Sequence, residues 1–190
     1  MTRIELLRKN FQRVCNIGWD KNLAGAQRVW FAVYEKEDER KLRLRLGIFE
    51  EVAYQTGHPW QAIDLSGVFA EWMAQSQFAR FAESYFAKPS RLGTVQLTAF
   101  TEYVAQKIRV QLDSEHHSEN SLLAIYGIAG LFALVSVSNI LRLVEPSIRG
   151  RLLVFFPGVY EQDNYRLLDA RDGWNYHAVP ITASEPEIRK

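Results

Sequence analysis

The chain has 190 residues, of which 47% are hydrophobic and 24% are charged, as expected of one soluble globular domain. With 23 basic and 22 acidic side chains, its formal net charge of +1 argues against a protein whose main task is to coat a nucleic-acid backbone. A single cysteine, Cys15, excludes an internal disulfide and fits a reducing compartment. Charges interrupt the first twenty positions, which therefore lack the apolar run of a signal peptide, and we expect a cytoplasmic protein.

Apolar residues alternate along the chain between helical spacing and short continuous runs. Strands that alternate with helices predict a single α/β domain over residues 1–182, with a short polar C-terminal tail at 183–190. Its sheet is expected to be mostly parallel, with about five strands and helices on both faces, P-loop-like or Rossmann-like but without a nucleotide motif. In chain order we predict a helix at 3–15, a strand at 28–34, a helix at 36–55, a strand at 60–65, helices at 67–75 and 92–111, a strand at 122–127, a helix at 138–144, a strand at 151–156, one or two helical turns at 164–170 and a strand at 174–181.

Residues 121–141 carry no charge and are nominally long enough to span a bilayer. However, Gly127, Gly130 and Asn139 divide the segment into a strand, a turn and the start of a helix, and no cluster of Lys or Arg flanks it. We therefore predict that it lies in the folded core and that the protein does not contact membrane.

The glycine turn at 127–130 stands where α/β proteins cradle phosphates. The four residues after Gly130 are Leu-Phe-Ala-Leu, so the Lys and the Ser or Thr of a nucleotide-hydrolysing P-loop are missing, as is the three-glycine dinucleotide pattern. We interpret the segment as a tight strand-to-helix turn, with a degenerate nucleotide-binding switch as the alternative. No cofactor is expected.

Two polar clusters have the residue types of a binding site. His116 and His117 lie in an acidic stretch, but adjacent histidines on a loop do not converge on a metal, and we predict a solvated loop. The only basic cluster is predicted to be a salt-bridged solvent face, because acidic residues precede it at helical spacing; direct DNA contact is the alternative. Its members are Arg40, Lys41, Arg43 and Arg45.

Residues 156–176 mix large aromatic side chains with Arg, Asp and Glu, the composition of protein interface hot spots. An equally acceptable interpretation is that internal Arg–Asp pairs hold a long loop on the sheet, and both can hold at once. We find no catalytic constellation and predict a non-catalytic protein. The candidate partner-binding residues are Phe156, Tyr160, Tyr165, Arg166, Arg171, Trp174 and Tyr176.

The same segment with its preceding strand, RLLVFFPGVYEQDNYRLLDARDGWNYHAVPIT at 151–182, resembles the C-terminal signature of the BrxB family of BREX phage-defence systems. The order of motifs nearer the N-terminus is also similar: LAGAQRV at 23–29, FAVY at 31–34, DER at 38–40 and Asp64-Leu65. The resemblance extends from about residue 4 to residue 182.

This resemblance implies a small bacterial component of a multi-protein system that methylates host DNA at adenine and blocks phage replication. The family has no established catalytic residues, so none is assigned here. The resemblance implies an adaptor or scaffold whose main partner is the phosphatase-like PglZ protein, with the BREX ATPase and methyltransferase as further candidates and only indirect contact with DNA.

Overall fold

The computed structural model describes residues 1–170 and 173–184. Within these residues, strands and α-helices alternate and short 3-10 turns join them. The strands are β1 Val29–Tyr34, β2 Trp60–Asp64, β3 Leu122–Tyr126, β4 Arg151–Glu161, β5 Asn164–Leu167 and β6 Val179–Thr182. The helices are α1 Arg3–Cys15, α2 Glu39–Leu44, α3 Leu46–Gln55, α4 Val68–Gln75, α5 Ala82–Ala87, α6 Thr94–Leu112 and α7 Val137–Val144.

Five strands form a parallel sheet in the order β2-β3-β4-β1-β6, and β5 pairs antiparallel with the end of β4. Every residue of β1 is buried, because β1 lies between two neighbours and has helices on both faces. The predicted single α/β domain with a mostly parallel sheet is confirmed.

Two hydrophobic cores lie on opposite faces of the sheet. Helices α1 and α3 pack against Trp30 and its neighbours on one face, and α4, α6 and α7 pack against Phe31 and its neighbours on the other. After β1 the chain crosses to the β2 edge of the sheet, whereas after β4 and its hairpin it crosses to the opposite edge, at β6. The switch in direction, where open α/β sheets usually bind ligands, is therefore between β1 and β4.

The bounds of three predicted helices need correction, and the helix predicted from residue 92 begins at Thr94. The predicted helix at 36–55 is divided at Arg45, whose amide donates to the carbonyl of Leu42 at 2.9 Å in place of the helical i−4 bond. As a result α2 ends at Leu44 and α3 begins at Leu46. The helix predicted from residue 67 begins one residue later, with Gly67 at the N-cap position.

The largest correction concerns residues 157–178. β4 continues through Pro157 and Gly158 and forms a hairpin with β5, so the predicted helical turns at 164–170 are wrong. Gln162 and Asp163 both have positive φ (49° and 61°), as a two-residue turn matching the twist of a hairpin requires. The fifth predicted strand is also shorter, because only Val179–Thr182 joins the parallel sheet.

The uncharged segment at 121–141 folds as β3, a 3-10 turn and α7, all of them contributing to the core. Among the residues described, none of the helices is both long and apolar enough to cross a membrane. At the C-terminus, the Asn10 side chain donates to the carbonyls of Thr182 and Ser184 at 2.8 Å each. The rest of the predicted polar tail, 185–190, lies outside the described residues.

Candidate protein-interaction surfaces

The aromatic residues of the predicted interface gather around Phe31 of the central strand. Tyr165 meets the Phe31 ring edge-to-face at 4.5 Å, and Phe156 stacks on it at 5.2 Å. Trp174 and Tyr176 complete the cluster at 5.8 and 5.9 Å from the same ring. Edge-to-face and offset arrangements of this kind are favourable beyond the area that they bury. The hairpin is therefore attached to the sheet by a packed aromatic core.

Burial removes several candidate partner-binding residues from the surface. Phe156 and Tyr165 are 0% exposed and Tyr176 is 6% exposed. The Tyr165 hydroxyl donates to the carbonyl of Ala178 at 3.0 Å, and that of Tyr176 donates to Glu145. These side chains act in folding, since a hot spot must be reachable by the partner. The seventh candidate, Arg171, lies outside the described residues.

Tyr160, Arg166 and Trp174 remain half-buried at the hairpin surface. The Tyr160 hydroxyl donates to Asp163 at 2.8 Å, and Arg166 forms an ion pair with Glu161 at 3.0 Å. Both pairs lie within the hairpin and neither is the Arg–Asp pair that the second interpretation expected; the aromatic packing is what holds the hairpin on the sheet. A role for these three residues in partner binding stays a prediction.

Two exposed phenylalanines lie elsewhere, in residues 76–93 between α4 and α6, which we call the aromatic flap. Phe81 is 43% exposed and Phe86 is 50% exposed. The inner side of the flap is anchored on α4, where Phe86 meets Phe69 at 5.2 Å and Phe78 meets Trp72 at 5.8 Å. Large apolar side chains that stay exposed on an anchored segment are typical of protein-binding surfaces.

Cationic side chains accompany these aromatic residues. The guanidinium of Arg80 lies 4.7 Å from the centre of the Phe81 ring, a cation–π contact. Lys88 and Arg91 are also exposed, whereas Glu83 is the single acidic residue of the flap. Sequence reasoning missed this surface because the flap has no clear helical period: its one α-helix, α5, is six residues long. Its aromatic content was the available signal.

The glycine turn at 127–130 is closely packed against the end of β2. Gly127 has φ +75°, and a Cβ there would lie 2.5 Å from Asp64 Oδ1 and 2.7 Å from the Ser66 amide nitrogen. The Asp64 carboxylate accepts two hydrogen bonds from Arg43 at 3.1 Å. Partial burial raises the pKa of Asp64, but the bonds to Arg43 and Ser66 outweigh it, so the net shift is downward. An anionic carboxylate thus lies against the glycine turn, which disfavours a phosphate there.

The switch point between β1 and β4 holds a cleft of about 470 Å³. Three carboxylates, Glu35, Asp38 and Glu161, line it together with Arg3. Arg3 is already paired with Glu35 and Asp38, and a bond from Lys41 holds the pKa of Asp38 below its usual range. The cleft is therefore acidic, which disfavours the nucleotide alternative.

Three of the four members of the basic cluster form ion pairs as predicted, whereas none is found for Arg40 among the described residues. Lys41 contacts Asp38 at 2.8 Å, and Arg43 contacts Glu39 at 2.9 Å. Arg45 reaches Glu5 of α1 at 3.4 Å. Since carboxylates neutralise these cations, the cluster gives little support to direct DNA contact.

The histidine loop differs from the prediction at one residue. His116 is exposed, but His117 is 1% exposed, and neither of its ring nitrogens has a hydrogen-bond partner among the described residues. Burial, with a contribution from the charge of Arg149, lowers the pKa of His117 from 6.5 to about 4. Within residues 1–170 and 173–184, no three His, Cys, Asp or Glu side chains form a metal-ligand group.

The buried imidazole predicts an acid-sensitive stability. The unfolded chain binds a proton at His117 below about pH 6.5, whereas the folded chain does so only below about pH 4. The free energy of unfolding should therefore fall as pH is lowered through this window, by about 3 kcal/mol at most. Urea unfolding of His117→Leu should lose this pH dependence, and His116→Leu should keep it. A slope that persists in His117→Leu would assign the effect to other groups.

The aromatic flap and the hairpin surface are thus the two candidate surfaces for binding a protein. Comparison with protein-family models, with curated proteins and with solved structures gave no match.

Proposed function

We propose that this chain is a non-catalytic adaptor of a BREX-type phage-defence complex and that it binds a partner protein through the aromatic flap. The observation that carries the proposal is the exposure of Phe81 and Phe86 on a segment anchored to the domain. The sequence resemblance to BrxB supplies the biological system. The aromatic flap supplies a surface that suits binding to a protein.

The environments of two reactive side chains, the Asp64 carboxylate and the Cys15 thiol, support a non-catalytic adaptor. Asp64, the carboxylate at a strand end, is held by Arg43. Burial raises the pKa of the Cys15 thiol to about 12, so the thiol is not a nucleophile at neutral pH. Both groups are used in the fold, whereas Phe81 and Phe86 stay exposed on a segment anchored to α4.

The resemblance suggests a PglZ-type phosphatase-like protein as the partner, with the BREX ATPase and methyltransferase as further candidates. Arg80, Lys88 and Arg91 against Glu83 give the aromatic flap a positive balance. A partner surface with apolar pockets and an acidic rim would complement it. Contact with DNA is then indirect, through the other subunits.

The test is to express the tagged chain from its own operon and to identify co-purifying proteins by mass spectrometry. The wild type should recover a PglZ-type protein in stoichiometric amount, and Phe81→Ala/Phe86→Ala should lose it. Each hot-spot aromatic is expected to contribute about 2 kcal/mol or more. Leu44→Ala is the matched control, since Leu44 is 80% exposed on α2, away from the aromatic flap.

Arg166→Ala tests the hairpin surface in the same experiment. If the flap variant keeps the partner and Arg166→Ala loses it, the binding surface is the hairpin, as the sequence interpretation expected. If the wild type recovers no BREX component, the adaptor proposal fails.

A further inference from the structure

The two edges of the sheet are protected differently. β6, at one edge, contains Pro180, and the Asn10 side chain binds the carbonyl of Thr182 beside it. β2, at the other edge, has the sequence Trp-Gln-Ala-Ile-Asp, with neither proline nor lysine, and among the described residues it pairs only with β3. Natural proteins usually block a free edge with such residues or cover it. The β2 edge is therefore open to another strand.

The register of β2 shows which backbone groups face outward. Leu122 donates to the carbonyl of Pro59 at 2.8 Å, and the Leu65 amide donates to the carbonyl of Tyr126 at 2.9 Å. Because bonding direction alternates along a parallel strand, the odd-numbered residues of β2 bond to β3. The amide and carbonyl groups of Trp60, Ala62 and Asp64 thus point away from the sheet.

We propose that the occupant of this edge is a second copy of the chain, paired antiparallel about a two-fold axis at Ala62. This axis places Ala62 opposite Ala62 and Trp60 opposite Asp64, so each outward-facing residue meets another outward-facing residue. Such pairing forms about six backbone hydrogen bonds. The only charged residue of the strand, Asp64, faces a tryptophan and not its own copy.

The groove beside β2 fits the same occupant. It has a volume of about 520 Å³ and lies between the β2 edge, α4 and α6. Its three charged lining residues are already paired, Glu71 with Lys107 at 2.8 Å and Asp64 with Arg43 at 3.1 Å, so two copies would meet without unpaired like charges. Val110 on α6 is 55% exposed there and would be covered. Glu71 and Lys107 neutralise each other, so the walls of the groove offer no unpaired charge to a strongly charged partner.

Light scattering after size exclusion, across a range of loading concentrations, tests the proposal with the protein alone. The wild type should approach twice the monomer mass at high concentration, and Ala62→Pro should stay a monomer. Because the Ala62 amide points outward, proline there removes no bond to β3, and the protein should keep its circular dichroism spectrum. Ala62→Val keeps the amide and should keep the dimer.

A pair of oppositely charged variants at residue 62 provides a second test that does not use a proline substitution. Ala62→Lys and Ala62→Glu should each be monomers alone and should form a dimer when mixed, because residue 62 faces its own copy across the axis. A wild type that is monomeric at all concentrations would overturn the proposal. A dimer that persists in folded Ala62→Pro, or in Ala62→Lys alone, would place the contact elsewhere. None of these outcomes depends on the proposed BREX role.

Discussion

Replacing Tyr165 with alanine is expected to lower the free energy of unfolding by about 3 to 5 kcal/mol. Tyr165 is 0% exposed, and its ring lies 4.5 Å from that of Phe31 and 5.7 Å from that of Phe156. The substitution would leave a cavity where the hairpin meets the central strand. Urea unfolding followed by tryptophan fluorescence measures the change, and partner binding would be lost only through loss of folding.

Tyr165→Phe separates the contribution of the hydroxyl to stability from the contribution of the ring. It keeps the aromatic packing but leaves the carbonyl of Ala178 without its 3.0 Å hydrogen bond, at a cost of about 1 to 2 kcal/mol. If Tyr165→Ala were as stable as the wild type and yet failed to bind its partner, Tyr165 would be an interface residue and its assignment to the core would be wrong.

Gly158→Ala is expected to destabilise the protein by about 3 kcal/mol or more, because the added methyl group has no space. A Cβ at Gly158 would lie 2.0 Å from the carbonyl oxygen of Arg166 and 3.0 Å from its carbonyl carbon. Both are backbone atoms of the paired strand β5, so β4 and β5 would have to separate. Thermal unfolding monitored by circular dichroism measures the loss.

Gly47→Ala is the matched control for this substitution. Gly47 lies in α3, and a Cβ there would meet no atom within 4 Å. Alanine favours helix over glycine by up to about 1 kcal/mol, so this variant should be as stable as the wild type or slightly more stable. Equal stability of the two variants would contradict the close approach of β4 and β5.

The parallel sheet could be predicted because its strands are buried on both faces. β1 and the first half of β4 are nearly continuous apolar runs bounded by polar or turn residues. This pattern is typical of parallel strands, because both of their faces are covered by helices. The end of α3 was predictable for a related reason. Gly57, which follows it, has φ +83°, a conformation that glycine adopts without strain.

The hairpin could not be predicted because its local signals point elsewhere. Pro157-Gly158 is typical of a strand end, and Gln162-Asp163 lacks the glycine that usually marks a two-residue turn. β4 continues because the Tyr165 ring fits against Phe31, a contact between residues far apart in sequence. Tertiary packing thus determines the local structure here.

Aromatic composition alone also cannot separate a core from an interface. Phe156 and Tyr165 have the residue types of hot spots but are fully buried, whereas Phe81 and Phe86 lie in a segment without clear periodicity and are exposed. Whether an aromatic residue is buried depends on whether its segment packs onto strands β1 and β4, and the sequence does not show which segment does. His117 shows the same effect, since its polar neighbours predicted exposure and the fold of the loop buries it.

The proposed binding of a protein partner by the exposed aromatic residues of the flap can be measured as the affinity between purified components. Isothermal titration of the chain with the PglZ-type protein of its operon should give saturable binding. Phe81→Ala/Phe86→Ala should weaken this binding at least tenfold, while Leu44→Ala leaves it unchanged. Equal affinity for the wild type and the flap variant, or no binding by the wild type, would contradict the account.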